Sequence, residues 1–283
     1  MKYALFGINN GICSMPETMK AVSIAAESAG FESLWTGEHV VLPDPQEPPS
    51  PAPPLTAMVH PSTALSFIAG FTSTIKLATG ITLLAQRNAV VLAKEMASLD
   101  YLSNGRLIFG IGAGYLKAEF DALGVKFAER GARSDEYIDA MRELWTSENP
   151  EFSGQFVNFS GVQSRPQPVQ SGGPEIVVGG TSNAAYRRAV TKAQGWYGFA
   201  LDHKITAAAI EGLKQAADKH SRPDGLGDLE ISITPRAPLT EEAVQQYESL
   251  GVSRLILLQT GRSEEALLEF VQKTAEDFIN PGP

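Results

Sequence analysis

The run Ser98-Leu99-Asp100-Tyr101-Leu102-Ser103-Asn104-Gly105-Arg106-Leu107-Ile108-Phe109-Gly110-Ile111-Gly112-Ala113-Gly114-Tyr115 decides how this chain is read. It spells the end of a helix, a tight turn, a short buried strand over 106–111 and a glycine-rich exit. Gly110, Gly112 and Gly114 leave the strand end with almost no side-chain cover, so a flat ligand is able to approach the backbone closely. Plain flexibility is the competing reading of three alternating glycines. The setting favours the ligand, because the strand belongs to a chain of repeating strand–helix units.

Upstream, β-branched and aromatic runs predict strands over 3–8, 31–36 and 76–84. Downstream they predict strands over 175–178, 195–199, 229–234 and 254–258. Helical spacing fills the gaps. Pro16 opens a helix with Met19, Val22, Ala26 and Ala29 on one face, and Gly30 stops it. Pro61 opens another, and 89–102 reads as a third, with Val90, Ala93, Ala97 and Asp100 on a shared face. Later helices cover about 182–192, 205–220 and 241–250, and a last one carries Leu267, Phe270, Val271, Ala275 and Phe278.

Eight such units in 283 residues predict an α/β fold, a (β/α)8 TIM barrel formed by one domain over 1–283. The competitor is an open doubly wound sheet, which typically carries GxGxxG in its first strand–helix turn. That turn, Asn9-Asn10-Gly11-Ile12-Cys13, lacks it. Two insertions break the rhythm. A Pro-rich loop after strand 2, over 42–60, holds Pro43, Pro45, Pro48, Pro49, Pro51, Pro53 and Pro54 and must be extended. It is expected over the face where barrel enzymes place their sites, as a lid or as a rigid decoration. An insertion between strands 4 and 5, over about 149–173, alternates Phe152, Phe156 and Phe159 with polar residues and predicts a hairpin.

Composition narrows the function. The net charge is -9, which argues against nucleic acid or an anionic membrane as partner. The single cysteine, Cys13, has no partner for a disulfide within the chain and no nearby base. No apolar run reads as a signal peptide or a membrane span, so a cytoplasmic enzyme acting on a small molecule is expected. With no HxH, HExxH or paired CxxC, no metal site is expected.

Three constellations carry chemistry. In Ile176-Val177-Val178-Gly179-Gly180-Thr181-Ser182-Asn183 a buried strand ends in two glycines and a helix begins, a junction suited to phosphate. A plain turn with an N-cap explains the same residues. Arg187 and Arg188 lie one turn on, placed to add charge. In Trp35-Thr36-Gly37-Glu38-His39, at the end of the second strand, the histidine is suited to exchange protons near neutral pH. Glu38 and His39 alternate in direction, so at most one points at the barrel axis; a histidine anchoring the proline loop is the alternative. In Ala78-Thr79-Gly80-Ile81-Thr82, Gly80 interrupts a central strand and marks a bulge or a peptide facing a ligand, with Arg87 on the next loop. Other residues read as structural: Arg106 as a partner of Asp100, and Arg130, Arg133, Asp135 and Glu136 as a self-paired, solvated helix face.

Taken together, Leu34-Trp35-Thr36-Gly37-Glu38-His39, Gly80-Ile81, Arg87 through Ala97-Ser98-Leu99-Asp100, Leu102-Ser103-Asn104-Gly105-Arg106, Gly110-Ile111-Gly112-Ala113-Gly114-Tyr115 and Val178-Gly179-Gly180 resemble the luciferase-like monooxygenase superfamily. Within it the chain resembles the branch that uses the deazaflavin coenzyme F420. The resemblance implies an oxidoreductase whose ring system stacks at the strand C-terminal ends. It implies a non-proline cis peptide at Gly80-Ile81 backing the ring, and a cofactor phosphate on Gly179-Gly180-Thr181. Cofactor contacts are expected from Gly80, Ile81, Gly112, Ala113, Gly114, Tyr115, Val178, Gly179, Gly180 and Thr181. His39 matches a proton-transferring histidine of deazaflavin-dependent dehydrogenases, and Glu38 beside it is the second catalytic candidate. Where sugar-phosphate dehydrogenases of that branch have an acid, this chain has Tyr115, which argues against that substrate. Homodimers are common among such proteins. The same resemblance leaves open a monooxygenase using reduced FMN, or a protein that binds the cofactor without turnover.

Overall fold

The computed structural model describes residues 1–281. In chain order its elements are β1 (Lys2–Phe6), α1 (Pro16–Ser28), β2 (Ser33–Thr36), α2 (Pro61–Ala69), β3 (Lys76–Thr79), β4 (Thr82–Leu83), α3 (Ala89–Leu102), β5 (Leu107–Gly112), α4 (Lys117–Ala122) and α5 (Arg130–Thr146). The hairpin strands β6 (Phe152–Ser153) and β7 (Asn158–Phe159) follow. Then come β8 (Glu175–Gly179), α6 (Asn183–Lys192), β9 (Gly195–Leu201), α7 (His203–His220), β10 (Glu230–Pro235), α8 (Glu241–Ser249), β11 (Arg254–Leu258) and α9 (Glu264–Thr274).

The parallel pairings run β3-β2-β1-β11-β10-β9-β8-β5, and β3 pairs with β5 to close the ring. The fold is therefore an eight-stranded TIM barrel, with β4 continuing β3 beyond Gly80-Ile81. The strand expected over 76–84 is split at that peptide, which is cis. Proline at the first turn starts α1 and α2. Side-chain caps start α3 and α6 to α9: Asn88 accepts the N–H groups of Val90 and Val91, and Ser182, Asp202, Thr240 and Ser263 cap the later four. Each such cap contributes roughly 1 kcal/mol.

Alternation along the strands divides the apolar residues into two cores. The larger lies between barrel and helices. The smaller fills the barrel with Ala4, Phe6, Trp35, Ala78, Ile108, Val177, Tyr197 and Ile256. Below it, at the N-terminal end, the fully buried Arg254 donates to both carboxylate oxygens of Glu32 at 2.9 Å and to the Ser232 hydroxyl, and pairs with Glu230. Charge pairs thus fill the interior of the barrel at that end.

Several expectations are corrected. Arg106 does not pair with Asp100. It donates to the carbonyls of Ala69, Thr72, Ile75 and Ser103, while Asp100 accepts from Val169 and Gln170. The α5 face is self-paired only in part: Arg133 holds Glu129 one turn back, but Asp135 holds Arg187 and Arg188, and Glu136 accepts the N–H groups of Gln155, Phe156 and Val157 in the hairpin. Val90 is exposed, and Ala89 and Leu92 take the buried phase of α3. The hairpin itself forms as expected, with Phe152 opposite Phe159.

Candidate active site

The C-terminal rim of the barrel has two unlike sides. On the β3, β5 and β8 side the strand ends are glycines lying beneath the Ile81 side chain. A Cβ on Gly110 would collide with the Thr79 carbonyl, and one on Gly112 would collide with the Ile81 side chain. A Cβ on Gly179 would lie 2.6 Å from Ile81 Cδ1. The glycines thus leave room first for neighbouring strands and for Ile81, which corrects the reading of an uncovered strand end. On the opposite side stand Phe6 and the half-exposed Phe199, their ring centres 5.2 Å apart, with Leu258 beside Phe6 in register.

His39 follows β2. Its N–H donates to Met58 Sδ at 3.1 Å, so the returning end of the proline loop grips it from behind. Its Nε2 is 3.4 Å from the Tyr115 hydroxyl, and the two rings meet edge-on at 5.9 Å. Its Nδ1 is 3.2 Å from Glu119 Oε2, close but out of line for a hydrogen bond, and it has no other polar partner. Glu119 is fully buried and also accepts Val40 N–H at 2.9 Å and Gln86 Nε2 at 3.4 Å. Burial and the nearby Glu119 carboxylate raise the Tyr115 phenol above its usual range, keeping it protonated near neutral pH.

Glu38 points elsewhere. Its buried carboxylate pairs with Arg87 and accepts Leu83 N–H at 2.6 Å, and His60 Nε2 lies 3.9 Å away. Asn9, fully buried, is a further clamp. It accepts Gly37 N–H and donates to the Gly37 and Val59 carbonyls, tying β1, β2 and the proline loop together. The loop is therefore docked at its 57–60 end, while Leu55 further out is fully solvated. Cys13 lies in the outer core, where burial pushes its thiol up to about 12.

At the end of β8, Gly180 (φ +114°) turns the chain toward α6; its N–H donates to the Tyr197 carbonyl and its carbonyl accepts Trp196 Nε1 at 2.8 Å. Ser182 caps Ala185 N–H. The N–H groups of Thr181, Asn183 and Ala184 meet no acceptor among the described residues. Arg187 and Arg188 are committed to Asp135, so the charge expected from them at this turn is already paired. The Val178 side chain lies in the outer core, so only its backbone reaches the rim.

The structure thus joins His39, Tyr115, Ile81, Gly112 and Gly179 at one rim. Sequence reading missed Glu119, Gln86 and Asn9. Glu119 had one signal: it shares with Phe120 the face of α4 that follows Leu116, where an acid is out of place. Among the described residues no cluster of His, Cys, Asp or Glu suits a metal ion, and no helix is long and apolar enough to cross a membrane.

Residues 14–276 match the luciferase-like monooxygenase family, and the chain belongs to it. An uncharacterised protein of Mycobacterium tuberculosis (strain ATCC 25618 / H37Rv) is 27% identical over 281 residues, covering 96% of this chain and 95% of that protein. An FMNH2-dependent dimethylsulfone monooxygenase of Pseudomonas putida is 31% identical over 193 residues, 66% of this chain and 47% of that enzyme. Among solved structures, an F420-dependent secondary alcohol dehydrogenase holding an F420–acetone adduct superposes with a TM-score of 0.78 at 14% identity, over 100% of this chain and 99% of that one.

Proposed function

We propose that this chain is an F420-dependent oxidoreductase acting on a small organic substrate. The observation that carries the reading is the His39 imidazole, set between Tyr115 and Glu119 at the same rim as the Ile81 floor. The F420-dependent dehydrogenase that shares the fold end to end supports it. The match over 14–276 supports reading the whole chain as one barrel domain.

The residues present fit a deazaflavin. Gly80 and Ile81, the latter seated over the buried Gly112 and Gly179, form a low apolar floor that suits a flat ring, flanked by Ala113, Gly114 and Tyr115. Three unpaired N–H groups at Thr181, Asn183 and Ala184 suit its anionic tail, with Gly180 opening the turn. When bound, the deazaflavin supplies or accepts a hydride at its central ring carbon. His39 moves the accompanying proton at Nε2, and Tyr115 orients the substrate hydroxyl or carbonyl beside it. Phe6, Phe199 and Leu258 present an apolar wall to the substrate. Glu38 works as an anchor: its carboxylate holds Arg87 and the turn after β4.

A second reading, a monooxygenase using reduced FMN, is favoured by the identity to the dimethylsulfone enzyme. The two separate by chemistry, because carbon in place of the ring nitrogen makes a deazaflavin a poor activator of oxygen. The F420 reading expects no oxygen consumption above background with reduced FMN. It expects anaerobic reduction of F420 by a panel of small alcohols, lowered about a hundredfold or more by His39→Ala. Rapid oxygen uptake with reduced FMN, and no turnover with F420, supports the alternative instead.

A further inference from the structure

We infer that Glu119 is the positioning residue for His39: it holds the imidazole with the proton on Nδ1, so that Nε2 faces the barrel mouth as the acceptor. The inference rests on His39 being the proton-moving group, and adds to that reading the residue that sets its tautomer.

Glu119 is fully buried, and no Lys or Arg among the described residues lies within ion-pair distance of its carboxylate. A carboxylate so placed needs donors. The fold supplies Val40 N–H to Oε1 and the Gln86 amide to Oε2. The third group in reach is His39 Nδ1 at 3.2 Å from Oε2, which has no other partner. A small rotation about χ2, a soft torsion in histidine, brings Nδ1–H into line. The other charged or titratable groups around the ring do not compete for Nδ1. Tyr115 faces Nε2, while Arg87 and His60 are engaged with Glu38.

Two consequences follow for the proton. With Nδ1 protonated, Nε2 keeps its lone pair and accepts from the Tyr115 hydroxyl until a substrate O–H takes that place. When that O–H gives its proton to Nε2, with the substrate's hydride going to the deazaflavin proposed above, the ring becomes an imidazolium that keeps its Nδ1–H on Glu119, and loss of the Nε2 proton to solvent restores the starting state. A neutral ring otherwise exchanges freely between its two forms, and the wrong one leaves no acceptor at the mouth.

Nitrogen-15 NMR of histidine-labelled protein tests this directly, since the chain has only four histidines and His39→Ala identifies the signal. The neutral His39 ring of the wild-type protein is expected to carry its proton on Nδ1, with Nε2 bare. In E119Q the side-chain carbonyl is held by Val40 N–H, which turns the amide N–H groups toward His39. The Nδ1-bound proton signal is then lost and the Nε2–H form appears. A wild-type ring protonated on Nε2 with Nδ1 bare overturns the inference, and this needs no variant to fold. So does an unchanged tautomer in folded E119Q. Failure of the functional reading shows elsewhere, as no binding of F420 or FMN, and leaves this spectrum as it is.

Discussion

The Cδ1 methyl of Ile81 stands where a Cβ on Gly112 would have to go. The floor of the rim is therefore a side chain from the third strand seated on a gap left by the fifth. Its removal is a matter of one methyl group. Gly112→Ala must push Ile81 out, and only the far end of a flexible chain has to move. Thermal unfolding is expected to show a loss of about 1–2 kcal/mol, while cofactor affinity falls more than tenfold as the floor rises. Gly110→Ala meets a backbone carbonyl instead, that of Thr79, whose hydroxyl in turn donates to the Gly110 carbonyl at 2.6 Å. It is expected to cost about 3 kcal/mol or more. Equal effects of the two changes on stability and affinity would contradict this account of the floor.

Glu38 and Arg87 form a buried pair, the carboxylate 1% exposed and the guanidinium 13%. Removing one charge strands the other. Glu38→Gln is expected to destabilise the fold by about 3–5 kcal/mol, measured by denaturant unfolding. In variants stable enough to assay, cofactor affinity falls with the displaced turn after β4, and the proton-transfer step keeps its rate. A stable variant that has lost only the chemical step would give Glu38 the catalytic role expected from the sequence and contradict its reading as an anchor.

Acid should loosen the join between α1 and β3. Burial pushes the Glu27 carboxyl upward. The N–H groups of Ser73, Thr74 and Ile75 and the Thr74 hydroxyl outweigh that and bring it down to about 2. A depressed carboxyl stabilises the fold above its unfolded value, near 4.5, and that contribution disappears as pH falls toward 2. Stability measured across this window should fall for the wild type and fall less steeply for Glu27→Gln. Parallel curves would remove Glu27 from the acid response.

The barrel was legible because each unit shows its period: apolar runs of strand length, then helices opened by Pro16, Pro61 or Asn88. Gly80 marked the break in the third strand for the same reason, since glycine weakens a central strand unless something needs the space. What the glycines make space for was not legible. Sequence alone does not say that Ile81 crosses to lie over Gly112 and Gly179, because that contact depends on the ring closing. Glu119 was hidden similarly. On a six-residue helix an acid near the start reads as favourable to the helix dipole, which masks the one signal it gives by sharing a face with Leu116 and Phe120. Arg187 and Arg188 misled in the opposite sense, for their partner Asp135 lies on a different helix.

Equilibrium titration of the purified protein with F420, followed by the coenzyme's own fluorescence and repeated with oxidised and reduced FMN as competitors, decides whether this rim seats a deazaflavin. Saturable binding of one F420 per chain, weakened more than tenfold in Gly112→Ala and little changed in His39→Ala, is the predicted result. Tight binding of FMN with none of F420, or F420 binding indifferent to Gly112, would contradict it.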